Sequence, residues 1–160
     1  MDKCRYKDLK GREYFSRDMD KYYITAGTED DMDVIDVYAT AKTHPNRIYS
    51  IEIKCYDDPQ YPRNYSKFTS NGKDYGFQID VAKLDHLMNK YHEENRIPIL
   101  YCRFNDYTIA WNISKINYKE RIKQVWTNKY GMNYGKEKEL TYQTYLYISE
   151  AVYVKETHGK

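Results

Sequence analysis

Two carboxylates and one ammonium group stand where they can act together: Asp36, Glu52 and Lys54. Each lies in a short run of β-branched and aromatic residues, Val34–Thr40 and Ile48–Tyr56, and such runs read as strands. Between them, Thr43-His44-Pro45-Asn46-Arg47 reads as a turn, because Pro fixes φ and Asn tolerates the left-handed region. A β-hairpin is therefore expected. Strand side chains alternate with period two, so Glu52 and Lys54 share a face. A turn centred on Pro45 sets Asp36 opposite Lys54 and Tyr38 opposite Glu52, with Asp36 on that same face. Asp33 has the opposite parity and precedes the strand.

Such a face suits a hard divalent cation. Mg²⁺ takes oxygen ligands and keeps several waters. Asp36 and Glu52 offer two ligands and the Ile53 carbonyl a third, with Mn²⁺ a natural substitute. The ion would polarise a phosphodiester and acidify a bound water, while Lys54 would orient that water or meet charge developing on the phosphate. The competing reading is a solvated strand face with a cross-strand Asp–Lys pair, worth about 0.2–1 kcal/mol. With 10 Glu and 18 Lys in the chain, an E-x-K tripeptide alone says little. Its setting says more. Ile51, Ile53 and Cys55 occupy the other face, so in a sheet covered on both sides Glu52 and Lys54 would be partly buried, which is costly without a purpose.

The positioning elements can be read in order. Tyr6–Tyr23 is a polar helix with a narrow stripe of Leu9, Tyr14 or Phe15, and Tyr22 or Tyr23, weakened by Gly11; Gly27–Asp31 is an acidic turn. After the hairpin, Asp57-Asp58-Pro59 opens a polar connection to Gly76, long enough to suggest function or mobility. Arg63, Tyr65 and Lys67 within it combine basic and aromatic groups suited to phosphate contact and base stacking. Asp80 is an N-cap, and Leu84, Leu87, Met88 and Tyr91 form one helix face that Asn95 ends. Ile97–Phe104 and Tyr107–Ile113 are strands around an Asn105-Asp106 turn. Residues 118–139 read as a short helix through Ile122 and Trp126 and then a polar loop, and Thr141–Val154 as one or two strands. Trp111 and Trp126 read as core. Interleaved strands and helices make this a mixed α/β domain with a central sheet.

Asp36, a turn, then Ile51-Glu52-Ile53-Lys54 resembles the D…(D/E)-x-K signature of the PD-(D/E)XK nuclease superfamily. The helix Val81 to about Glu94 and the strand Ile97–Phe104 follow in the order of that family's αβββαβ restriction-endonuclease-like core. The resemblance spans roughly residues 10–113. It implies a DNA-cleaving enzyme in which Asp36 and Glu52 bind Mg²⁺ and Lys54 serves the attacking water. A further acid from the first helix, as some members carry, would be Glu13. The region of Gln78 and Lys83 would face nucleic acid, and homodimers are common in the family. Ile35, where the signature has Pro, is a departure. Residues 118–160 have no counterpart and read as a β-rich C-terminal extension. The alternative is a catalytically inactive nucleic-acid- or protein-binding module of the same fold, such as an accessory protein of a phage or mobile element.

Composition bounds these readings. The chain has 160 residues and a net charge of +2, which suits one domain and excludes a polybasic tail. Leu, Ile, Val and Phe are few, but 20 Tyr can pad a core while their hydroxyls stay wet or hydrogen-bonded. No apolar run has the length of a membrane span. The charged Met1–Arg5 stretch carries no secretory pattern. Three widely spaced cysteines form no zinc or disulfide framework, and Cys55 and Cys102 read as small buried hydrophobes. A cytoplasmic, reducing setting is the expectation. His86 and His92 lie six apart and cannot share a metal on a helix.

Overall fold

The structure is a computed structural model, described for residues 3–19, 23–27, 37–128 and 137–158. In chain order it has α1 (Lys3–Met19), β1 (Tyr23–Gly27), β2 (Val37–Ala41) and β3 (His44–Cys55), then β4 (Thr69–Ser70), β5 (Lys73–Asp74) and β6 (Phe77–Asp80). There follow α2 (Val81–Glu94), β7 (Ile97–Arg103), β8 (Tyr107–Asn112), β9 (Lys123–Asn128), β10 (Lys138–Leu146) and β11 (Tyr153–Glu156). The main sheet runs β1-β2-β3-β7-β8-β11. All its pairs are antiparallel except β3 with β7. A parallel pair needs a crossover, and α2 lies within it. The fold is mixed α/β: a mostly β, mixed sheet with two helices among the described residues.

Alternation along β3 divides the molecule into two cores. Ile51 and Ile53 face α1, where they bury with Phe15, Met19 and Tyr101; the Phe15 and Tyr101 rings meet edge to face with centroids 5.1 Å apart. Ser50, Glu52, Lys54 and Tyr56 have the other parity. That face carries the larger core, in which Leu84 and Leu87 of α2 meet Leu100, Cys102, Phe104 and Trp111. Gly11 does more than weaken a helix. A Cβ there would stand 2.9 Å from Ile53 Cγ2 and 3.3 Å from Cys55 Cβ, so its absence lets α1 lie close on β3.

The structure revises several sequence expectations. The turn falls at Lys42-Thr43, with a register irregularity at Thr40/Ala41, and Pro45 lies inside β3. Tyr38 therefore faces Ser50 rather than Glu52, a two-residue shift that preserves parity. The first helix ends at Met19, and Tyr23–Gly27 is a strand. The acidic residues after Gly27, together with Asp33 and Asp36, lie outside the described residues. The 57–76 connection is ordered by its own chemistry. Asn71 and Gly72, both at positive φ, close the β4–β5 hairpin, as this turn type requires, and Tyr65 is 1% exposed.

The Ile122–Trp126 segment is part of β9, not a helix, except for Ile122, which precedes it. It pairs with β10, and β10 pairs with β6 in a second, three-stranded sheet. Pairing outside the segment overrides the weak local pattern. Trp111 is buried, its Nε1 donating to the Tyr147 carbonyl at 2.8 Å, whereas Trp126 is 65% exposed. Among the described residues no helix is long and apolar enough to cross a membrane.

Candidate functional site

Glu52 is 5% exposed in the middle of β3, between β2 and β7. A carboxylate so placed requires compensation. Lys54 Nζ lies 3.3 Å from Glu52 Oε1, and Lys83 Nζ lies 3.8 Å from the same atom. The Lys54 side chain is 27% exposed and that of Lys83 43% exposed. Two ammonium groups thus converge on one buried oxygen while remaining open to solvent. Strand alternation delivers Lys54, and the first turn of α2 delivers Lys83, because the helix begins directly after β6.

Lys54 and Lys83 line a cleft of about 440 Å³ together with Tyr56, Gln78, Asp80, Thr127, Glu139, Thr141 and Gln143. Burial pushes the Tyr56 hydroxyl up to about 12, so it enters the cleft as a neutral group. Beneath the site, burial also raises the Cys102 thiol. Cys102 pairs with Lys54 in the β3–β7 register, and it is an inert core residue of the kind expected. Ser50, two residues before Glu52 on the same face, is fully buried and its Oγ has no hydrogen-bond partner among the described residues. Such an orphan commonly marks a place for water or an ion.

The sequence-derived residues separate into two groups. Glu52, Lys54, Gln78 and Lys83 meet at or beside the cleft. Asp36 lies outside the described residues, but its neighbour Val37 pairs with Ile51, the neighbour of Glu52. Glu13 is exposed on α1, the helix that covers the Ile51/Ile53 face, so the sheet lies between that helix and Glu52. Arg63 is turned toward aromatic rings. Its guanidinium lies over the rings of Tyr56, Phe68 and Phe77, at 4.9, 5.2 and 5.6 Å from their centroids. Lys67 is exposed in the short turn Tyr65–Phe68, and Tyr65 is core, its hydroxyl donating to Asp74 at 2.8 Å. Asp80 stands at the N-cap position without a side-chain cap bond; its Oδ1 accepts from Gln143 Nε2 instead.

Sequence reasoning missed the far wall of the cleft: Asp80, Thr127, Glu139, Thr141 and Gln143. They come together only through the pairing of β6, β10 and β9, which joins Asp80 to Gln143. No local pattern announces that pairing.

The donor chemistry fits a hard divalent ion better than zinc. Glu52 and the Ile53 carbonyl are oxygen donors, and among the described residues no group of three His, Cys, Asp or Glu could hold a metal. No protein family, curated protein or solved structure matches the chain.

Proposed function

We propose that the protein is a Mg²⁺-dependent nuclease that hydrolyses DNA phosphodiester bonds, with a restriction-endonuclease-like core. The observation that carries this reading is the single buried oxygen of Glu52 approached by Lys54 and Lys83 at a solvent-open cleft. The order of the helices and main-sheet strands, α1, β1-β2-β3, α2, β7, with β4, β5 and β6 of the smaller sheets between β3 and α2, and β3 parallel to β7, supports it. So does the position of β2, which begins one residue after Asp36.

Asp36, Glu52 and the Ile53 carbonyl would hold the metal. When bound, Mg²⁺ supplies Lewis-acid polarisation of the phosphate and a more acidic coordinated water. Lys54 stands beside the Glu52 carboxylate, where its ammonium can orient the attacking water and hold it by hydrogen bonding. Lys83, the more exposed cation, meets the phosphate oxygens as they gain charge. Tyr56 remains protonated and can donate to the same phosphate.

A second reading has its own support. The two ion pairs satisfy Glu52 without a metal, as they would in a non-catalytic nucleic-acid-binding module of this fold. Cleavage of supercoiled plasmid, single-stranded circles and a four-way junction, with Mg²⁺ or Mn²⁺, decides between them. Wild type should cut, whereas Asp36→Asn, Lys54→Ala and EDTA-treated samples should not. Equal activity in all samples overturns the assignment. A folded, inactive wild type that shows no calorimetric Mg²⁺ or Mn²⁺ binding establishes the binding module instead.

A further inference from the structure

The cleft beside Glu52 has two chemically different sides. One carries the ammonium groups of Lys54 and Lys83. The other is a face of the β6-β10-β9 sheet. Register places Gln143 between Asp80 and Lys123, Thr141 beside Val125 and Glu139 beside Thr127, and of that face Asp80, Gln143, Thr141, Glu139 and Thr127 line the cleft. That face is rich in acceptors. Asp80 accepts from Gln143, Thr141 Oγ1 donates to the Val125 carbonyl at 3.2 Å, and Glu139 is exposed. Among the described residues Asp80 and Glu139 are the charged groups that line the cleft on this side; Lys123, opposite Gln143 in the register, lies over the Tyr145 ring at 5.5 Å from its centroid.

A duplex lying across the cleft would bring a phosphate row toward each side, and one row would meet Asp80 and Glu139. Like charges so juxtaposed are repulsive. A single strand has only one phosphate row. With its phosphates toward Lys54 and Lys83, its unpaired bases turn toward the acceptor wall. Carboxylates there can accept from exocyclic amino groups such as cytosine N4–H₂, but not from thymine O4.

Resting on the nuclease reading, we infer that the site takes single-stranded DNA, phosphates on the Lys54/Lys83 side and base edges on the β10 wall, with amino-bearing bases preferred. All of this wall but Asp80 lies in the C-terminal extension, which thereby becomes the main substrate-selecting part of the domain.

The test is fluorescence anisotropy of labelled 20-mers at pH 8 in EDTA, so that cutting is not read. Oligo(dC), oligo(dT) and a mixed-sequence duplex of the same length are compared on wild type and Glu139→Ala. Glu139 is exposed on β10, so this variant should fold. Wild type should bind oligo(dC) at least tenfold more tightly than duplex and severalfold more tightly than oligo(dT), and Glu139→Ala should lose the dC preference. Duplex binding equal to or tighter than single-strand binding overturns the inference, as does a dC preference unchanged in Glu139→Ala, or no binding at all. A duplex-preferring protein that still cleaves in Mg²⁺ would remove this inference and keep the nuclease. A single-strand binder that never cleaves would do the reverse.

Discussion

Lys54 Nζ lies 3.3 Å from Glu52 Oε1, two residues back on the same strand. The cross-strand partners here leave them together: in β7, Leu100 stands beside Glu52 and Cys102 beside Lys54, and neither carries a charge. On the β7 side the pair thus has uncharged neighbours, and Lys54 and Lys83 both meet the carboxylate.

That setting predicts a separation of stability from function. Replacing a buried ion pair by a well-packed apolar group is often neutral, or stabilising by about 1–4 kcal/mol. Lys54 and Lys83 are open enough to be solvated once Glu52 is gone. Glu52→Leu should therefore unfold in urea at an equal or higher midpoint than wild type, while the proposed metal-dependent cleavage disappears. A loss of more than about 2 kcal/mol would make Glu52 a structural residue.

Gly11 leads to a second prediction, opposite in sign to helix propensity. Gly→Ala in a helix interior ordinarily gains about 1 kcal/mol. At Gly11 the added Cβ meets Ile53 Cγ2 at 2.9 Å, and Ile53 is a β-branched residue fixed in the core between Glu52 and Lys54. Gly11→Ala should lower the thermal midpoint and reduce the proposed cleavage with it, because β3 must shift. A midpoint above that of wild type would show that α1 can move away at no cost.

The alkaline limb of stability follows from buried phenols. Burial pushes Tyr56 up to about 12 in the folded chain, against about 10 when unfolded. Between those values the unfolded state has released a proton that the folded state keeps, so stability falls as pH rises from about 10 toward 12. Burial also raises Tyr65, Tyr101 and Tyr118, adding to the same fall. Urea midpoints at pH 8, 10 and 11 should drop for wild type and drop less for Tyr56→Phe. Parallel slopes for the two proteins would exclude Tyr56 as a contributor.

The hairpin, α2 and the β7–β8 pair were legible because each announces itself within a dozen residues, through alternation, an i, i+3, i+4 stripe, or turn residues. Parity is a local property, so Glu52 and Lys54 fall together even though the turn was placed on Pro45 rather than Lys42-Thr43. What could not be read depends on distant partners. β1 is a five-residue strand whose only signal is that β2 pairs with it. β6 and β9 both need β10. Arg63 looks like a phosphate ligand in sequence, because nothing local reveals that Tyr56, Phe68 and Phe77 will gather beneath it.

Arg63 and Lys83 are both cations near the cleft, and their roles differ in a measurable way. Arg63 holds three rings, including Tyr56 of the cleft wall. Cation–π contacts of this kind contribute about 0.5–2 kcal/mol, so Arg63→Ala should lower the urea midpoint accordingly. It should leave the salt dependence of the proposed DNA binding unchanged, since no phosphate contact is lost. Lys83→Ala should do the opposite: little change in stability, weaker binding across sequences, and a log–log salt slope smaller by about 1. Arg63→Lys distinguishes packing from charge, because the ammonium keeps the charge but lacks the planar group that stacks on the rings. It should recover only part of the lost stability, again at an unaltered salt slope. If Arg63→Ala instead lowers the slope by about 1 at full stability, the guanidinium leaves the rings to bind phosphate, and the clamp assigned to it is wrong.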